Sequence, residues 1–218
     1  MSTPISAAIV HYRTPELIGR AVESLRTHYP DLPLLLIDNG STPETARLLH
    51  GLVGRHGPAE VLLNEVNVHH GPAMDQAVRH LDTPLVLLLD SVVVVREGGF
   101  LEGMRGLLED DHQAYAVGRM TWMDDRGFDV PPSTGGHPYI RPLCMLLRRE
   151  LYLRLPPFER HGAPCLRNMV AAVQQGYRLV DFPVQEFIQH DGRGTAGRHG
   201  YGLGMRGRLN HLLHRLGF

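Results

Sequence analysis

Pro84-Leu85-Val86-Leu87-Leu88-Leu89-Asp90-Ser91-Val92-Val93-Val94-Val95 is an apolar run broken by one acid and one hydroxyl residue. Thr83 precedes Pro84, and Glu97-Gly98-Gly99 follows shortly after. Residues 85–89 show no polar alternation, the pattern of a strand buried on both faces. An acid is costly to bury unpaired. Asp90 therefore belongs at the strand's carboxyl end, where open α/β sheets bind ligands, and the valines restart an extended segment. A capping or turn role for Asp90 is equally open on this stretch alone, so the flanking sequence has to decide.

Upstream, apolar strands alternate with amphipathic helices. Residues 5–10 form a first strand, ending in His11-Tyr12-Arg13-Thr14-Pro15-Glu16. Thr14 as N-cap and Pro15 at the first helical position predict a helix to about His28, with Leu17, Ile18, Ala21, Val22 and Leu25 on one face. A second strand over 32–37 ends in the turn signal Asp38-Asn39-Gly40-Ser41. A helix over 43–53 and a third strand over 61–63 follow. Asn64-Glu65-Val66-Asn67 and His69-His70-Gly71-Pro72 then lead into a helix carrying Ala73, Ala77, Val78 and Leu81. Such alternation predicts a parallel sheet with helices on both faces. If the strands are parallel, Tyr12, Arg13, Asp38, Asn67 and Asp90 collect at one sheet edge, the expected place for a ligand. No Gly-x-Gly-x-x-Gly follows the first strand and there is no phosphate-loop motif, which weakens dinucleotide and ATPase readings.

Downstream the pattern is less regular. Helices are predicted over 102–108, 148–153 and 165–175, the last closed by Gly176. Strands are predicted over 115–120, 143–147, 177–181 and 184–188, with a turn at Asp124-Asp125-Arg126-Gly127 and a polar loop over 130–137. The end is glycine- and arginine-rich, with a short helix predicted over 209–216.

Bulk properties narrow the class. The 218 residues suit one domain, here 1–195, with a basic Gly-rich extension over 196–218. Basic and acidic residues number 22 and 23, which argues against a dedicated duplex-DNA binder. No lysine occurs, so all fixed positive charge is arginine, suited to bidentate phosphate contacts. Cys144 and Cys165 form no metal-type spacing and point to a reducing compartment. No signal peptide and no run of the ~18–20 apolar residues of a membrane span is seen, so a cytoplasmic location is expected.

The ordered pieces resemble a family 2 glycosyltransferase of GT-A fold. They are Ile9-Val10-His11-Tyr12-Arg13; Leu36-Ile37-Asp38-Asn39-Gly40-Ser41; Asn64 and Asn67 with Gly71-Pro72-Ala73; Leu87-Leu88-Leu89-Asp90-Ser91-Val92; Cys144 to Glu150; Gly176 to Val180; and His190-Asp191-Gly192-Arg193-Gly194-Thr195. The resemblance implies a Rossmann-like, mostly parallel α/β sheet. It also implies sugar transfer, with inversion, from a nucleotide-diphosphate donor, most commonly of uridine. Tyr12, Arg13 and Asp38 would line the nucleoside pocket, with Asn67, Asp90, Ser91 and His190 along the donor. The acceptor could be a glycan, a lipid-linked saccharide, a small molecule or a modified base, and a homo-oligomer is left open.

Two positions depart from the family pattern. The second acid of the Asp-x-Asp motif is Val92, which cannot ligate a metal. Asp90 and His190 remain as ligands for Mg2+ or Mn2+. Operation without a metal, with Arg193, Arg198, His199, Arg206 and Arg208 balancing the diphosphate, is at least as well supported. The family's acidic pair, which supplies the base, falls at Pro164 and Cys165. Asp191, Glu159 and Asp125 are then the candidate bases, with His161, Asp124 and His137 nearby. Trp122 is a candidate stacking platform for an acceptor sugar, and Asp75 a helix-face residue or a neighbour of the donor sugar. The alternatives are an inactive sugar-nucleotide binder of the same fold and, less well supported, a nucleotidyltransferase.

Overall fold

The computed structural model describes residues 2–55, 57–159 and 162–190. Asp191, Arg193, Arg198, His199, Arg206, Arg208, His161 and the 209–216 helix, all singled out above, lie outside them, as does the 196–218 extension.

The first half follows the apolar pattern closely. Strands β1 (Ile5–His11), β2 (Leu34–Asn39), β3 (Ala59–Asn64) and β4 (Leu85–Asp90) alternate with helices α1 (Pro15–His28), α2 (Pro43–Val53) and α3 (His70–His80). After Asp90 come β5 (Val93–Val95), α4 (Phe100–Asp110), β6 (Ala114–Met123), β7 (His137–Arg148), α5 (Arg149–Tyr152), α6 (Leu166–Gln174), β8 (Arg178–Asp181) and β9 (Ile188–His190). The main sheet runs β3-β2-β1-β4-β7-β6-β8. β1 to β4 pair in parallel, β7 is antiparallel to both β4 and β6, and β8 is parallel to β6.

The continuous apolar runs are explained by two cores, one on each face. Ile5, Ala7, Ile9, Leu85, Leu87 and Leu89 point to the core shared with α1, α2 and α4. Ala8, Val10, Val86 and Leu88 point to the core shared with α3, α5 and α6. Both sets of alternating side chains leave water, so besides Ser6 the polar residues of these two strands stand at their ends, His11 and Asp90.

The structure corrects three local readings. Thr14 does not cap α1 with its side chain; its hydroxyl lies 3.1 Å from His11 Nδ1 instead. Residues 184–188 are not one strand. A 3-10 turn occupies Val184–Glu186, and β9 pairs antiparallel with β5 in a separate two-stranded sheet. The segment 143–147 is the end of a longer strand that begins at His137, inside the region read as loop, because β6 and β7 form an extended hairpin. Asp75 fits the helix-face reading: its carboxylate accepts from Tyr152 at 2.6 Å and pairs with Arg79 at 2.9 Å.

Candidate functional site

Register fixes which side chains meet at the carboxyl edge of the parallel strands. Asp38 lies opposite His11, Asp90 opposite Val10, and Asn39 opposite Asn64. The expected convergence of Asp38 and Asp90 beside Tyr12 and Arg13 is therefore present. His190 joins them from the small sheet, with Nε2 at 4.0 Å from Asp90 Oδ2.

His11 and Asp38 are the most constrained pair. His11 is fully buried and Asp38 nearly so. Burial pushes the His11 imidazole down to about 4, opposed in part by the Asp38 charge, so the ring is neutral at pH 7. Asp38 Oδ2 accepts the Ser41 N–H at 3.1 Å. Asp38 Oδ1 and His11 Nε2 are both buried and have no hydrogen-bond partner among the described residues. Burying such groups unpartnered is costly, and native structures seldom do so without a reason.

A polar network holds the loops around this pair. Asn39 donates to Asn67 Oδ1 at 3.0 Å and accepts from Asn64 at 3.3 Å and from the Val68 N–H at 3.0 Å. Asn64 in turn donates to Gln76 on α3 at 2.9 Å. The carbonyl of Asn67, expected on the donor, is thus occupied by Asn39 and by the His69 N–H. Gly40, at φ +77, brings the turn so close that an added Cβ would lie 2.4 Å from the Val66 carbonyl carbon. Arg13, at φ +54, donates its N–H to Ser41 Oγ at 3.0 Å and sets its guanidinium 5.1 Å from the Tyr12 ring centre.

The corner formed by Asp90 and His190 carries little chelating chemistry among the described residues. Ser91 and Val92 are buried, and Val92 has no ligating group. Among the described residues no cluster of three or more His, Cys, Asp or Glu could hold a metal. Asp90 and His190 converge but stand alone. They would hold a divalent ion only with the diphosphate's own oxygens and water completing the shell.

On the opposite rim, Glu159 is tied to its neighbours. Its backbone lies so close to the start of α3 that a Cβ on Gly71 would sit 1.6 Å from the Glu159 carbonyl oxygen. Its side chain accepts from Arg167 at 3.2 Å. Cys165, at the head of α6, is fully buried against Tyr139, and burial drives its thiol far above the ordinary range. Cys144 is likewise pushed up to about 12. Neither is a nucleophile at neutral pH. Asp124 caps its own turn, accepting from Arg126 and Phe128 N–H groups. Asp125 pairs with His137. Trp122 is half-buried on the hairpin, level with Pro138. The His11–Asp38 pairing and the Asn39-Asn64-Gln76 network escaped the sequence reading. Sliding the parallel strands into register at their polar ends is the signal that finds the first.

Among the described residues no helix is long and apolar enough to cross a membrane. Residues 6–174 match the model for glycosyl transferase family 2. No curated protein matches the sequence. The fold is similar to a mannosyltransferase, PcManGT from Pyrobaculum calidifontis, in complex with GDP-Man and Mn2+, at TM-score 0.69 and 17% identity over 84% of this chain and 55% of that one. It is similar to GalNAc-T7 with UDP, GalNAc and Mn2+, at TM-score 0.65 and 15% identity over 84% and 43%. It is also similar to S. aureus TarS 1-349 in complex with UDP-GlcNAc, at TM-score 0.61 and 15% identity over 87% and 60%. The chain thus spans about half the length of these structures. From its first strand to its last long helix, the chain belongs to glycosyl transferase family 2.

Proposed function

We propose that this chain transfers a sugar from a nucleoside-diphosphate donor to an acceptor hydroxyl, with inversion at the anomeric carbon. The observation that carries this reading is the buried pair Asp38 Oδ1 and His11 Nε2, both without partners, at the carboxyl edge of the parallel strands. A nucleobase offers both a donor N–H and an acceptor carbonyl on one edge, and would satisfy both atoms in one step. Neutral His11 can give or take a hydrogen bond there, depending on its tautomer. The Tyr12 ring, with Arg13 beside it, adds a stacking surface and a cation near the nucleoside. The fold's likeness to structures holding GDP-Man, UDP and UDP-GlcNAc supports the same donor class.

Asp90 and His190 stand where the diphosphate would extend. A divalent ion held there would neutralise the leaving group's charge. With Val92 buried in place of a second acid, we propose that this requirement is weak, and that arginines of the C-terminal stretch, Arg193 and Arg198 first, share the task. A base beside the acceptor completes the reaction, and the acceptor is a glycan, small molecule or modified base.

Calorimetric titration with UDP, GDP and TDP, each with Mn2+ and again with EDTA, tests the donor pocket. One nucleotide should bind, and Asp38→Ala should weaken it about 10- to 100-fold, the worth of a hydrogen bond to a charged group. Binding that survives EDTA supports the weak metal requirement. No binding under either condition sinks the pocket. A second reading, a sugar-nucleotide binder without turnover, is favoured by Val92 and by the buried Cys165. Tight donor binding with neither transfer nor hydrolysis would establish it.

A further inference from the structure

Transfer to a hydroxyl releases a proton, and a group beside the acceptor has to take it. The carboxylates on the acceptor rim are mostly engaged. Glu159 is held by Arg167, Asp124 by its own turn, and Asp129 by Arg141 and Thr121. One arrangement differs: His137 Nε2 lies 2.8 Å from Asp125 Oδ1. A carboxylate only accepts, so Nε2 carries the hydrogen and Nδ1 presents a lone pair. Nδ1 has no partner among the described residues.

The dyad's position follows from register. β7 leaves β4 at Cys144, opposite Leu89, and continues back to His137, beyond the edge where Asp90 stands. His137 pairs with Met123 and lies two residues from Tyr139. Met123, Tyr139 and Cys165 share one core, so this hairpin face turns towards the head of α6. The 124–127 turn closes on the same spot, where a Cβ on Gly127 would lie 3.1 Å from the Ala163 Cβ. From Gly71 the rim runs through Glu159, Ala163 and Cys165 to this turn. It is continuous from the start of α3 to the dyad.

We propose that His137 is the catalytic base and that Asp125 is its positioning residue. This rests on the transferase reading above. In the step, the acceptor oxygen bonds to the anomeric carbon, and the bond from that carbon to the diphosphate oxygen breaks. The electron pair leaves on the nucleoside diphosphate. The hydroxyl proton passes to His137 Nδ1, and the imidazolium stays paired with Asp125. Among the described residues, the head of α6 offers the buried, neutral Cys165 in place of an acid, and the proposed proton acceptor lies across the rim on the hairpin.

The test measures nucleoside-diphosphate release from UDP-GlcNAc, UDP-GalNAc and GDP-mannose, with water as acceptor, by the full chain and by His137→Ala, His137→Gln and Asp125→Asn. Turnover should fall about 10²- to 10⁴-fold in both His137 variants. Asp125→Asn should lose less, and donor affinity by calorimetry should stay within about twofold in all three. Added imidazole should restore part of the turnover of His137→Ala, a readout that loss of a surface ion pair does not produce. Turnover within about threefold of wild type in His137→Ala overturns the assignment and leaves the transferase reading intact. Donor binding by wild type with neither hydrolysis nor transfer to a panel of sugar and small-molecule acceptors sinks the transferase reading, and this inference with it. Unchanged thermal unfolding in His137→Gln separates the effect from misfolding.

Discussion

The two rims of the edge solve opposite problems. The rim proposed for the nucleoside, built from the ends of β1 and β2, is buried and carries polar atoms with no partner among the described residues. The hairpin rim, built from β6, β7 and the turn between them, is exposed, and its carboxylates are partnered within the protein. The first arrangement is costly unless a ligand completes it. The second costs little, because exposed ion pairs contribute weakly either way. A donor would thus repair a deficit in the fold, whereas an acceptor would meet a surface already satisfied. Donor binding should therefore stabilise the protein markedly, and acceptor contacts should be easier to alter.

The largest expected effect uses pH to expose that deficit. The His11 pKa is about 4 in the folded chain against 6.5 ordinarily. Between those values the unfolded chain binds a proton that the native chain refuses. Stability contributed by neutral His11 is therefore complete above pH 6.5 and is lost as pH falls towards 4. The loss approaches about 3 kcal/mol. Chemical denaturation at pH 7, 6, 5 and 4 measures it. The chain has 14 histidines, so the informative quantity is the difference from His11→Gln. That difference should shrink steadily with falling pH. If it is flat, His11 is not held neutral by its surroundings.

Next comes the seam joining the two rims. In Gly71→Ala the new Cβ would meet backbone, the Glu159 carbonyl oxygen, rather than a flexible side-chain tip. Relief requires the start of α3 or the segment around Glu159 to move. We expect a loss of about 1–3 kcal/mol in denaturant unfolding, together with weaker turnover at near-normal nucleotide affinity. Equal losses in both would mean that the seam also positions the nucleoside rim.

How much of this was readable beforehand also divides along the two rims. In the first half β1, β2 and β4 are buried on both faces, so the chain itself marks where strands stop: apolar residues end and Asp38 or Asp90 begins. Parallel pairing then sets those stops side by side, and the donor edge follows from pattern alone. The hairpin offers no such marker. β7 starts at His137 within Pro-, Gly- and Ser-rich sequence, and Pro138 and Pro142 lie inside the strand. Local composition says loop, and long-range pairing with β6 overrides it. The pairing of Asp125 with His137, twelve residues apart, depends on that hairpin and is invisible without it. Thr14 shows the same limit at short range. Its sequence signal was a helix cap, but a buried imidazole three residues earlier competes for its hydroxyl.

A smaller effect is expected at the diphosphate end. Asp90 and His190 lie 4.0 Å apart and each side chain is about one-third exposed, so their mutual attraction is worth at most about 1 kcal/mol. His190→Ala should therefore leave the unfolding free energy nearly unchanged. If the pair holds a divalent ion against the diphosphate, the same variant abolishes the difference between nucleotide affinities measured with Mn2+ and with EDTA. If arginines carry that charge instead, wild type shows no such difference to abolish.

A similarly small effect sharpens the contrast from the hairpin side. Arg141 pairs with Asp129, which also accepts from Thr121 at 3.1 Å. Both charges are substantially exposed, so Asp129→Ala should cost only about 0.5–1 kcal/mol of stability. Its consequence for the rim is more informative than its size. Met123 bridges to Asp129 and pairs with His137, so the 129–130 strand edge braces the base of the turn that carries Asp125. Loosening that brace should lower turnover several-fold while nucleotide affinity, set at the far rim, holds. Asp129→Asn keeps an acceptor for Thr121 and should recover most of the loss. If both variants weaken nucleotide binding as much as turnover, the two rims are mechanically one unit and the division between them fails.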